Sequence, residues 1–166
     1  MRFLIDGYNL MHAVGYVVPK GTEAQFHAAR LRFLDWLVEG VSRVASKVEL
    51  RIVFDAQHSK KDLGSSAHRG VIVQFSFRET ADDLIETLLH RETKPADVTL
   101  VSNDTRLQKA AKRANCKQVA CSTFVDWLQQ PSGWKVTRPD EPMQEKPALD
   151  AKAEVDQFLD VFSKPK

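Results

Sequence analysis

Three aspartates stand where short apolar runs give way to polar residues, two more form an adjacent pair, and their placement is the first sign of chemistry. Asp6 follows "RFLI" (2–5), Asp55 follows "LRIVF" (50–54), Asp104 closes "VTLVSND" (98–104), and Asp82 and Asp83 sit side by side in "ETADD" (79–83). In a parallel sheet the carboxyl ends of the strands share one edge, and ligands bind in the crevice where the strand order reverses. Carboxylates gathered at such an edge repel one another and resist desolvation unless a cation neutralises them. Hard oxygen donors of this kind suit magnesium or manganese. Any one of these acids alone is equally suited to capping a helix or facing its dipole. Thr80 is placed to cap a helix opening at "TADD", which leaves Asp82 without that task.

These acids need strands and helices to hold them. "RFLI", "LRIVF", "VIVQF" (71–75) and "VTLV" (98–101) are too short for helices and rich in Val, Ile, Leu and Phe, so they read as buried strands, with a fifth at "KQVA" (117–120). Between the first two runs, Thr22 and Gln25 have capping-box spacing, and Phe26, Phe33, Leu37, Val41 and Val44 fall near one helical face. Gly40 is a possible kink in that helix, and Gly7 a point where the backbone turns freely after the first strand. Thr80 and Asp83 mark a second helix, "DTRLQKAAKRA" (104–114) a third, and "STFVDWLQQ" (122–130) the last. Strands alternating with helices predict a parallel sheet covered on both faces.

The bulk composition agrees with a folded chain. In 166 residues, 43% are hydrophobic and 28% charged, with a net charge of +2 that neither demands nor excludes nucleic acid. No apolar run approaches the ~18 residues of a membrane span, and a cytoplasmic location is expected. Cys116 and Cys121 read as buried thiols, and His12, His27 and His90 have no metal-ligand spacing.

"LIDGYNLM", "IVFDA", "ETADD" and "TLVSND", in this order, resemble the YacP-like NYN domain family of ribonucleases related to PIN domains. The resemblance covers about residues 1–130. It implies a PIN-like three-layer α/β sandwich with a central, mostly parallel sheet, and an acidic site holding Mg2+ or Mn2+. It also implies endonucleolytic cleavage of RNA, with the ribosome as a platform for some members. Carried over, the site is Asp6, Asn9, Asp55, Asp82 and Asp104, with Asp83 where a glutamate is common, and with Ser102 and Asn103 fitting the pattern. The first strand and the run at 98–101 are implied to be neighbours. A phosphatase of the haloacid dehalogenase type would need a second acid two residues after Asp6, where Tyr8 stands. The alternative from another class is a catalytically silent RNA-binding or ribosome-associated adaptor with the same crevice.

Two basic stretches are candidate contacts for a phosphate backbone. Helical spacing puts Arg106, Lys109, Arg113 and Lys117 on one strip, and the loop at 58–70, reading as mobile and close to the site, carries Lys60, Lys61, His68 and Arg69. Beyond Gln130 the character changes. Pro131, Pro139, Pro142 and Pro147 read as a linker in a C-terminal extension, residues 131–166, ending in a short amphipathic helix suited to docking on a protein partner. Six basic and seven acidic residues there leave −1 on the extension, so residues 1–130 carry +3.

Overall fold

The computed structural model describes residues 1–17, 20–45, 47–56 and 64–130. The elements run β1 (Arg2–Asp6), α1 (Gly7–Ala13), α2 (Glu23–Val44), β2 (Glu49–Asp55), β3 (Ser65–His68), β4 (Val71–Ser76), α3 (Ala81–His90), β5 (Val98–Val101), α4 (Thr105–Arg113), β6 (Lys117–Val119) and α5 (Cys121–Gln129). They form one six-stranded sheet in the order β3-β4-β2-β1-β5-β6. Every pairing is parallel except that of the edge strand β3 with β4. The chain moves outward from β1 through β2 to β4, then returns to lay β5 on the other flank of β1. The order therefore reverses between β1 and β5, which are neighbours as expected.

Strand alternation sends successive side chains to opposite faces. Phe3, Ile5, Ile52, Phe54 and Val101 face one layer, where they pack with Leu10, Phe33, Leu37, Phe124 and Trp127 of α1, α2 and α5. Leu4, Val53 and Leu100 face the other, with Leu84, Ile85, Leu107 and Ala111 of α3 and α4. Each large side chain buried in this way contributes about 1.5–3 kcal/mol. Both predicted capping boxes are present, Thr22 with Gln25 on α2 and Thr80 with Asp83 on α3.

Three elements depart from expectation. A single 22-residue helix, α2, runs through Gly40, whose function is space, since a Cβ there would stand 3.4 Å from Leu128 of α5. The segment after Gly64, expected as loop, pairs as β3 and turns back at Arg69 and Gly70, both with positive φ (46° and 89°) as a two-residue hairpin turn requires. Helix α1 begins at Gly7 directly after β1. The conformational freedom expected of Gly7 is not what fixes it there, because a Cβ would lie 2.4 Å from the Phe54 ring. The proline-rich stretch and the docking helix expected after it fall outside the described residues.

Candidate functional site

The carboxyl edge of β1 and β5 carries a connected chain of polar groups. Asp6 is both the last residue of β1 and the N-cap of α1. Its Oδ1 accepts the Asn9 backbone N–H (3.2 Å), and its Oδ2 accepts Asn9 Nδ2 (3.0 Å) and the Ser102 hydroxyl (3.1 Å). The Ser102 oxygen in turn accepts the Asp104 N–H at 3.0 Å. Asp104 caps α4, its Oδ1 taking the N–H groups of Arg106 (2.6 Å) and Leu107 (3.1 Å). Gln108, one turn into α4, donates to the Ser102 carbonyl at 3.0 Å. Ser102 thus joins the two strand-end carboxylates, and the capping role weighed for Asp6 and Asp104 coexists with their convergence.

The electrostatics show a cluster short of positive charge. Asp6 is only 6% exposed. Burial pushes its carboxyl above the ordinary aspartate range despite three hydrogen bonds that lower it, and the charge of Asp104 pushes the same way. Asp82, at the start of α3, is also raised, by burial first and then by Asp6 and Asp104, and Arg106 only partly offsets this. Three carboxylates from β1, α3 and the β5–α4 junction therefore sense one another. Among the described residues no three acidic, His or Cys side chains are drawn tightly enough to form a finished metal cage. The donor set is nonetheless one that a hard divalent cation fits, since added positive charge would relieve the repulsion that raises Asp6 and Asp82.

A family model for the YacP-like NYN domain matches residues 3–159. The chain belongs to this family. Membership brings a nuclease-like fold and, broadly, nuclease function directed at RNA. The crystal structure of Rae1 (YacP) from Bacillus subtilis superposes with a TM-score of 0.58 at 19% identity, covering 98% of this chain and 81% of that one. A tryptophan-to-leucine mutant of the same Bacillus subtilis protein gives 0.57 at 24% identity, covering 77% and 74%. At these identities the likeness shows the NYN fold. No curated protein sequence matches the chain significantly. The family match reaches residue 159, so the likeness extends beyond the span of about 1–130 read from the motifs and into the extension.

The other expected NYN site residues are distributed unevenly. Asp55 ends β2; because Asp6 is in register with Val53, Asp55 lies two residues farther along the adjacent strand and, by alternation, on the face of Val53. It stands at the rim of the cluster. Asp83, expected as a ligand, is occupied: it closes the α3 capping box and pairs with Arg106 at 2.6 Å, which holds its carboxyl below the usual range. Asn103 Oδ1 accepts the Cys121 N–H (2.9 Å), fastening the start of α5.

The expected basic strip is broken. Arg106 is bound to Asp83 and Glu86, and Lys117 opens β6 instead of continuing α4, so Lys109 and Arg113 are what remains of the strip exposed and without an ion pair among the described residues. His68 and Arg69 lie at the amino end of β4, roughly 20 Å along the sheet from the acids, where both pair with Asp35 of α2. Sequence spacing misled here because β3 carries the chain back to the opposite edge. Lys60 and Lys61 lie outside the described residues. The role of Gln108 was missed, although its i+4 spacing from Asp104 signals a shared helix face.

Proposed function

We propose that this chain is a divalent-metal-dependent endoribonuclease that cuts RNA phosphodiester bonds, with ribosome-bound messenger RNA as its substrate. What supports it is the trio Asp6, Asp82 and Asp104, held at the switch point of the sheet with two carboxyls raised by burial and mutual repulsion. These three would hold Mg2+ or Mn2+, with Asp55 nearby at the rim. Such an ion, when held there, would supply positive charge for the scissile phosphate and acidify a water for in-line attack. The chain's own residues do the positioning. Asn9 and Ser102 fix the orientation of Asp6, Ser102 passes the alignment on to Asp104, and Gln108 steadies the turn between them. Lys109 and Arg113, exposed on α4, meet the RNA backbone.

The test is cleavage of labelled RNA with Mn2+, with chelator, and with or without ribosomes, by the native chain and by Asp6→Asn and Asp104→Asn. The expected result is metal-dependent cutting that falls by orders of magnitude in both variants and rises when ribosomes present the message. Binding without cutting would leave the silent adaptor as the function. Near-native cutting by both variants would end the metal-nuclease reading, and equal rates with and without ribosomes would remove the ribosome from it.

A further inference from the structure

The carboxyl edge carries a second feature that the acidic cluster does not use. Directly beyond β4, whose last residue Ser76 is in register with Asp55, Phe77 projects into solvent with 55% of its surface exposed. No other aromatic side chain among the described residues is so exposed; the remaining exposed large apolar residues are Met1 and Leu31. The Arg78 guanidinium lies 5.1 Å from the Phe77 ring centroid, and among the described residues no carboxylate pairs with it. By contrast Arg2, Arg69 and Arg106 are all engaged by acids. Arg78 also holds a left-handed backbone, φ +63°, a conformation disfavoured for a side chain of this size and concentrated at functional sites. Five residues beyond Phe77, the same segment delivers Asp82 to the cluster.

We infer that Phe77 and Arg78 form a stacking platform for one unpaired base of a single-stranded RNA, placing the neighbouring phosphate over the Asp6–Asp82–Asp104 crevice. This rests on the ribonuclease reading above and deepens it by specifying unpaired RNA. A flat exposed ring beside a guanidinium that no carboxylate of the described residues engages offers a base a π-face, a cation for stacking and a donor fork for the adjoining phosphate. Bases inside a duplex are stacked on their neighbours and unable to use it. A purely apolar docking patch would have no need of the arginine, and a purely electrostatic one no need of the exposed ring.

Binding is measured by fluorescence anisotropy in chelator, where no cutting occurs, using an unpaired RNA of about 12 nucleotides and a blunt duplex of the same sequence. Phe77→Ala and Phe77→Leu should weaken binding of the unpaired RNA about 5- to 100-fold, Phe77→Trp should preserve it, and duplex binding should be unchanged. Melting temperatures should stay at the native value, because the ring is exposed. Equal affinity of the native, Ala and Leu chains for unpaired RNA would overturn the platform, as would equal losses on the duplex. So would a native chain that binds neither RNA. Manganese-dependent cutting is followed in parallel: a native chain that cuts while its Phe77 variants bind normally loses the platform and keeps the nuclease. A native chain that never cuts, yet loses affinity in the Ala and Leu variants, keeps the platform and loses the nuclease.

Discussion

Asp82 isolates the electrostatics of the site, because Thr80 and Asp83 cap its helix and leave its carboxyl to burial and to the charges of Asp6 and Asp104. A carboxyl whose pKa is raised on folding binds its proton more tightly in the native state, so its ionisation weakens the fold as pH rises from the unfolded value to the folded one. Asp82→Asn should therefore raise the melting temperature of the cation-free protein near neutral pH. The helix dipole favours an acid in this first turn by about 0.3–1 kcal/mol, which keeps the gain small, on the order of 1–3 °C. Thermal melts in chelator across pH should show the gap closing below the carboxylate range, and a neutral-pH loss of stability would contradict the account. The same shifts predict that Mn2+ binding weakens on the acid side at a higher pH than at ordinary carboxylates, because protons compete for the cation-free site, as metal titrations across pH would record. The sequence made Asp6, Asp55 and Asp104 legible because they end apolar runs, and Asp82 because it follows a helix-capping threonine. Capping-box spacing already set Asp83 apart from Asp82, but only the fold shows that Asp83 also meets Arg106.

The junction of β1 and α1 has no connecting residue, and that shortness is what sets Asp6. Gly7→Ala would drive a methyl into the Phe54 ring, so it should cost about 1–3 kcal/mol and disturb Asp6 with it. Adding Phe54→Leu should restore part of that stability, and a double-mutant cycle by urea unfolding measures the coupling. At the other end of β1, Arg2 grips Glu92 with two contacts of 3.0 and 2.7 Å, which lowers that carboxyl to about 2. Its contribution is complete above the unfolded glutamate value and disappears as pH falls toward about 2. Glu92→Gln should thus melt lower than native at pH 7, with the difference vanishing in strong acid. Most elements were readable because capping residues and apolar runs are local signals. Helix α1 was not, since a seven-residue helix opening on glycine depends on packing to form. Nor was β3, whose sequence Ser-Ser-Ala-His has little strand character and pairs because the Arg69–Gly70 turn brings it against β4.

Across the described residues, the acids lie at the carboxyl edge, α4 carries Lys109 and Arg113 from there back toward the start of β6, and His68 and Arg69 fasten the hairpin to α2 at the amino edge. Changing Lys109 and Arg113 together to Ala should weaken RNA binding without sequence preference and reduce the salt slope by about 2, whereas the same change at Arg69 should leave that slope alone. Titrations at several salt concentrations distinguish the two. The sheet order has a further consequence, in time. The hydrogen bond that joins Ser102 to Asp6 spans 96 residues, because β1 must wait for β5 to take its second neighbour. At about 5–20 residues per second of synthesis, a nascent chain spends several seconds with its first strand made and its acidic cluster unassembled. On the ribonuclease reading proposed above, the site would first form only after Asp104 had been made.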